Sequence, residues 1–334
     1  MAISKHRRAI TSICGALLAV VALVAFALSP RAEDWPTRPI KIIVPFAAGG
    51  AVDLVARILQ DDMGNALGTP MFVENRAGGA GVPASEALIN APPDGYTIAI
   101  MSSNYASNAI MQPHLSYDTV ADITPISMVI VNTVLILVPA DSSIYTLADL
   151  VAQAKAKPGS LSYGTPGFAT AMHFAGELLR SRADINIAHV PYRGAAPAVT
   201  DVATGAVTMS FTSLAAALPL IQSGKIRAVA VTSRERMPQL PDVASFAESV
   251  PEMKDYELLN WFALFATAGT PEPIIARLNE IANTALRDKA IAQKLEVQGI
   301  VPRPMTPAEF RAFVTAEVKK FGEIMTRANI HAEQ

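Results

Sequence analysis

Residues 40–59 (IKIIVPFAAGGAVDLVARIL) limit the fold more than any other stretch. Ile40, Ile42, Ile43 and Val44 form a β-branched run that suits a buried parallel strand. Pro45 ends it, and Gly49-Gly50 let the backbone turn tightly and approach a partner. From Val52 onward, Val52, Val55, Ala56 and Leu59 follow helical spacing. A strand, a glycine loop and a helix start aim several backbone N–H groups at one point, which is a ready anion site. The anion could be a phosphate, a transition state or a bound carboxylate.

The same grammar recurs. Residues 71–75 read as a second strand, followed by a Gly78–Gly81 loop and a helix over 83–90 opened by Pro83. A turn at Pro92-Pro93-Asp94-Gly95 leads to a third strand over 96–101, which ends in Ser102-Ser103-Asn104. Strands alternating with helices imply a parallel sheet with helices on both faces, and ligands at the carboxyl ends of its strands. Residues 126–138 form an apolar run longer than a usual strand, long enough to pass from one lobe to another. The pattern then restarts. A helix over 147–156 and a strand over 161–163 lead to a second glycine loop, Gly164–Thr170, and a helix to about Arg180. Strands over 187–190, 207–211 and 226–231 follow, with a return strand over 258–267. Residues 271–295 read as helical, and Thr306-Pro307-Ala308-Glu309 reads as a capping box opening the last helix. The expected fold class is α/β: two lobes, each a mixed, mostly parallel sheet flanked by helices and hinged by crossing strands. We expect lobe 1 over 36–128 plus 255–334 and lobe 2 over 129–254.

The N-terminus reads as an export signal. Lys5, Arg7 and Arg8 precede a run of 19 almost wholly apolar residues, 10–28, and charge returns at Glu33-Asp34. Such a run could also span a bilayer uncleaved; we expect residues 1–32 to be removed and the protein to be periplasmic. Taking Lys5, Arg7, Arg8 and Arg31, and no acid, from a chain of net −2 leaves −6. No basic face remains, so nucleic acid is a poor partner. Cys14 is the only cysteine, so the mature chain has no disulfide and no thiolate metal site. High apolar content (51%) with low charge (17%) argues against disorder.

The chemistry of the loops points to capture. Gly79-x-Gly81-x-x-Ala84 matches a loose dinucleotide fingerprint, but it follows the second strand, and no acid ends the next strand to hold a ribose. There is no phosphate loop of the Gly-x-x-x-x-Gly-Lys type and no Gly-x-Ser-x-Gly elbow. No two of the five histidines stand at metal-ligand spacing. His189 reads as structural. His173 either bonds a neighbouring carbonyl from a helix face or lines the cleft. Asp53, in the first helical turn, favours the helix dipole and could hold its own loop's amides. Loop ends rich in Gly, Ser, Thr and Asn bind by hydrogen bonds and do little acid–base or nucleophilic work.

Ordered segments across nearly the whole mature chain carry a family likeness: WPTRPI (35–40), VPFAAGGAVD (44–53), VENRAG (73–78), APPDGYT (91–97), AKAKPG (154–159), HFAGEL (173–178), HVPYRG (189–194), AVAVTS (228–233), LPDV (240–243) and AGTP (268–271). The sequence resembles the extracytoplasmic solute-binding receptors of tripartite tricarboxylate transporters, the Bug or TctC-like receptors. The resemblance implies a non-enzymatic, two-lobed periplasmic monomer with a type II periplasmic-binding-protein-like fold, which closes on a small carboxylate (mono-, di- or aromatic) and hands it to integral-membrane transporter subunits. It implies no cofactor and no metal. It places Phe46, Ala48, Gly50, Asp53, Ser102 and Asn104 on the first lobe's side of the cleft. Thr165, Gly167, Ala169, Thr170, His173 and Thr212 would stand on the second. Many relatives carry an acid where this chain has Thr212, so an amino-acid ligand is disfavoured. Tyr105 either stacks on an aromatic ligand or packs as a surface tyrosine. Two other readings stay open: an exported hydrolase or lyase using His173 near Thr170, and a ligand sensor for a membrane signalling protein.

Overall fold

A computed structural model describes residues 35–112, 114–254 and 256–328. The expected signal segment, with Cys14, lies outside them. From Arg38 on the chain forms one unit built on two sheets. In chain order the strands are β1 (Ile40–Val44), β2 (Met71–Asn75), β3 (Thr97–Ser102), β4 (Ile123–Thr133), β5 (Leu135–Pro139), β6 (Leu161–Thr165), β7 (Ile187–Pro191), β8 (Met209–Thr212), β9 (Ile226–Val231), β10 (Leu259–Thr267) and β11 (Ile300–Pro302). The first sheet runs β11-β4-β10-β3-β1-β2 and the second β7-β6-β8-β5-β9.

The strand–loop–helix repeats set the parallel parts, β2-β1-β3 and β7-β6-β8. The crossing and return strands pair antiparallel. Five antiparallel pairs therefore stand against four parallel ones among the described residues, so each sheet is mixed without the expected excess of parallel pairs.

The helices are α1 (Ala51–Leu67), α2 (Val82–Ile89), α3 (Asn104–Met111), α4 (Leu147–Ala156), α5 (Ala171–Ala183), α6 (Ala195–Ala203), α7 (Leu214–Gln222), α8 (Phe246–Ser249), α9 (Glu272–Arg287), α10 (Lys289–Glu296) and α11 (Pro307–Ala328). Local sequence explains their ends. Helix α1 stops at Gly68, left-handed at φ 66°, whose N–H closes the last turn. The helix expected over 271–295 is broken in two, because Asp288 is extended and its carboxylate caps Ala290 and Ile291. The box before α11 forms as read: Thr306 Oγ1 accepts from Glu309 N, and the Glu309 carboxylate accepts from Thr306 N.

The apolar run over 126–138 does pass between the sheets. It divides at Val134 into β4 and β5, so the expected lobe boundary at 128/129 falls inside β4. Thr232 clasps both crossings. Its N–H donates to Val134 O (2.9 Å), and its hydroxyl accepts from Val134 N (3.1 Å) and donates to Leu258 O (2.6 Å). Helix α11 covers the junction. Trp261 of β10 donates its indole N–H to Glu317 (2.9 Å), and Phe321 packs on Phe174 of α5 at 4.8 Å between ring centres. Tyr105 is neither a stacking platform for ligand nor a surface residue. It is 2% exposed, with its ring against Tyr117 and Phe265 in the core.

Candidate functional site

The carboxyl ends of β1, β3, β6 and β8 carry loops that open four helices, α1, α3, α5 and α7. The loop after β7 opens α6. The starts of α1, α5, α6 and α7 meet around one cavity of about 60 Å³.

On the first sheet's side, Phe46, Ala47 and Ala48 lead to Gly50, Ala51 and Val52. The loop is held from behind. Asp53 accepts Gly49 N (3.0 Å), Asn75 Nδ2 (2.9 Å) and Arg57 Nε (3.0 Å), while Asn75 also donates to Phe46 O (3.0 Å). Burial works to raise the Asp53 carboxyl. The hydrogen bonds from Arg57, Gly49 and Asn75 outweigh it and hold the group below its usual range. Gly49, at φ 86°, supplies the turn. The helix itself has no side-chain cap: Gly50 leaves the first-turn amides to whatever enters the cavity.

Ser102, at the end of β3, lines the cavity and donates to Asn104. Asn104 faces elsewhere. With Asn108 it donates to Ala80 O, which fixes the Gly78–Gly81 loop.

On the second sheet's side, Pro166, Thr170 and Met172 line the cavity. Thr170 caps α5, accepting His173 N (3.2 Å) and donating to Gly167 O (2.8 Å). Thr165 lies beneath, its hydroxyl 2.7 Å from His189 Nε2. Ala169 sits left-handed at φ 58°, and its carbonyl accepts from Ser107 of α3, a bond that joins the two sides of the cleft. His173 is buried behind this loop between Phe168 and His189, with the two imidazoles 4.2 Å apart. Burial, then the Arg180 charge, pushes His173 down to about 4. Burial, then His173, pushes His189 down to about 3. Both rings are neutral near pH 7.

Four further groups complete the walls, and the sequence reading named none of them as site residues: Gly194 to Pro197 at the start of α6, Ser213 at the start of α7, and Asn260 and Phe262 of β10. Neither α6 nor α7 carries a side-chain cap. The Gly194-Ala195-Ala196-Pro197 start was a usable signal, because it repeats the small-residue entry of α1. Asn260 accepts from Ser103 (2.7 Å) and donates to Asn132 (3.0 Å), so the cavity floor is tied to both crossing strands. Thr212 lies just outside the wall, fully buried, its hydroxyl without a partner.

Of the expected residues, Phe46, Ala48, Gly50, Ser102 and Thr170 line this cavity. Gly167 lines an adjoining, more open compartment of about 570 Å³, which shares Phe46, Pro166 and Thr170 with it. Asp53, Asn104, Thr165, Ala169, His173 and Thr212 stand behind the walls. No lining side chain of the inner cavity is charged. Among the described residues no group of three or more His, Cys, Asp or Glu could hold a metal ion. An uncapped helix start lining a cleft can hold an anion through backbone N–H groups and the helix dipole.

Comparison with known proteins agrees with this chemistry. The family described as "Tripartite tricarboxylate transporter family receptor" matches residues 55–330. Protein BugT of Bordetella pertussis is 34% identical, over 92% of this chain and 96% of that protein. A solved structure of an R. palustris protein with adipate superposes with a TM-score of 0.86 at 31% identity, covering 89% of this chain and 99% of the other. MatC from Rhodopseudomonas palustris, solved with bound malate, gives 0.81 at 29% identity, covering 87% and 99%.

Proposed function

The chain belongs to the tripartite tricarboxylate transporter receptor family, and from that premise we propose that it is a periplasmic receptor that captures a small carboxylate between its lobes and delivers it to membrane transporter subunits. One observation carries the reading: α1, α6 and α7 reach the same uncharged cavity from both sheets with their first-turn amides uncapped. A carboxylate there would be held by N–H groups, aided by Ser102, Ser213, Thr170 and Asn260. The relatives solved with adipate and malate support a carboxylate ligand. The lobe division we adopt follows the sheets, with the changes of side at Val134 and between Val231 and Leu259.

The enzyme reading relied on His173 near Thr170; that ring is buried behind the loop, stacked on His189, and does not line the cavity. Thermal-shift screening against carboxylates tests the proposal. A true ligand at a hundredfold excess over Kd adds about 2.7 kcal/mol of stability. Stabilisation by a nucleotide or a metal, with none from any carboxylate, refutes the reading.

A further inference from the structure

The three uncapped helix starts that reach the cavity are not equivalent. Those of α1 and α6 follow Gly50 and Gly194, which have no side chain to offer. That of α7 follows Ser213, a residue type among the best caps, with an extended backbone (φ −96°, ψ 157°) of the kind a capping serine adopts. Yet its hydroxyl accepts from no amide of α7. Resting on the receptor reading above, we infer that the Ser213 hydroxyl is a ligand-binding group: it donates to an oxygen of the bound carboxylate beside the first-turn amides of α7, and so makes this start the seat of an anionic group.

The first support is that the other polar side chains of the wall are already engaged. Ser102 donates to Asn104, and Thr170 donates to Gly167 O while accepting His173 N. Asn260 accepts from Ser103 and donates to Asn132. Of the three hydroxyls on the cavity wall, only that of Ser213 makes no hydrogen bond among the described residues. The second support is burial. Ser213 is 2% exposed, so its hydroxyl has lost bulk water and finds a partner only in the cavity. The hydroxyl of the preceding Thr212 is wholly enclosed without a partner; that of Ser213 is not enclosed, and its residue lines the cavity. The third support is the helix. With no cap, the amides of Ala215 and Ala216 stay available, and the dipole of this nine-residue helix adds positive potential at the same place. Hydroxyl and amides thus offer several donors to one anionic group, whatever the rest of the ligand is.

Calorimetry and thermal melting of the unaltered protein and of Ser213→Ala, both dialysed free of small molecules, test this with acetate, succinate, malate, adipate and benzoate. The acid that binds the unaltered protein most tightly should bind the variant more weakly by about tenfold or more, as for one hydrogen bond to a charged group. Without acid, the variant should melt at the same temperature or slightly higher, because an unpartnered hydroxyl is removed and no cap is lost. An affinity within about threefold of the unaltered protein overturns the inference and leaves the receptor reading standing. So does a lower melting temperature without acid, which would show the hydroxyl capping α7. If none of the five acids binds the unaltered protein, both fall.

Discussion

At the residue scale the support of the loops matters more than their tips. Gly176 of α5 has no room for a side chain: a Cβ there would lie 2.4 Å from the ring of Tyr163. That ring is fully buried and donates its hydroxyl to Glu177 (2.6 Å). Gly176→Ala should therefore cost about 1–3 kcal/mol, read as a lower chemical-denaturation midpoint with an unchanged slope. The imidazole pair behind the second jaw makes a different prediction. Both rings titrate below the unfolded value of about 6.5, at about 4 and about 3. The unfolded chain thus binds their protons first. Their contribution is full above pH 6.5 and is lost as pH falls towards 4 and then 3. The melting temperature should decline across that window, and His189→Gln, which keeps a partner for Thr165 but cannot titrate, should flatten the decline. A decline of equal slope in the variant would assign it to other groups. Asp53 was readable in sequence as a holder of its own loop, because an acid in a first helical turn has few better uses. Tyr105 was not, because its burial is decided by Tyr117 and Phe265, and Phe265 lies 160 residues away in sequence.

At the scale of elements, the helices fall into two groups. Helices α4, α5, α8, α10 and α11 bring their own caps, in Thr146 with Asp149, Thr170, Ser245 with Glu248, Asp288, and Thr306 with Glu309. Helices α1, α2, α3, α6, α7 and α9 bring none, and of these α1, α6 and α7 open onto the cavity. Gly50→Asp follows as a test. A Cβ at Gly50 meets nothing nearer than 3.8 Å, and its φ of −85° suits any residue. An aspartate there should cap α1, holding stability or raising it by a few tenths of a kcal/mol, since Gly is itself a fair cap, while its charge abolishes carboxylate binding. Loss of fold, or undiminished affinity by calorimetry, would contradict this. Element order was largely legible, because β-branched runs and glycine turns are local signals. The site was half legible. Strand ends and glycine loops announce α1 and α5, but Ser213, Asn260 and Phe262 enter the cavity only because β8 and β10 are placed beside it by pairings far apart in sequence. The break at Asp288 was missed because the residue is an ordinary helix-surface acid until its backbone is seen to be extended.

At the scale of the whole molecule, the two sides of the cleft are joined by the Ser107–Ala169 bond and again by the crossings at Thr232. Ser107→Ala removes the first and leaves the second. It should weaken ligand binding several-fold by making the closed arrangement less populated, with the far-ultraviolet spectrum unchanged. Equal affinity in the variant would show that this bond does not contribute to closure. The uncapped helix starts also bear on how such a receptor can change over time. Groups that would meet the proposed anion through main-chain N–H cannot be deleted by exchanging one side chain for another. Such a grip would be insulated from most point mutations, whereas Phe46, Met172 and Phe262 on the cavity wall are each one codon change from a different shape. On the receptor reading, a lineage built on this scaffold would exchange one nutrient for another by altering these side chains, while main-chain N–H groups still faced the cavity.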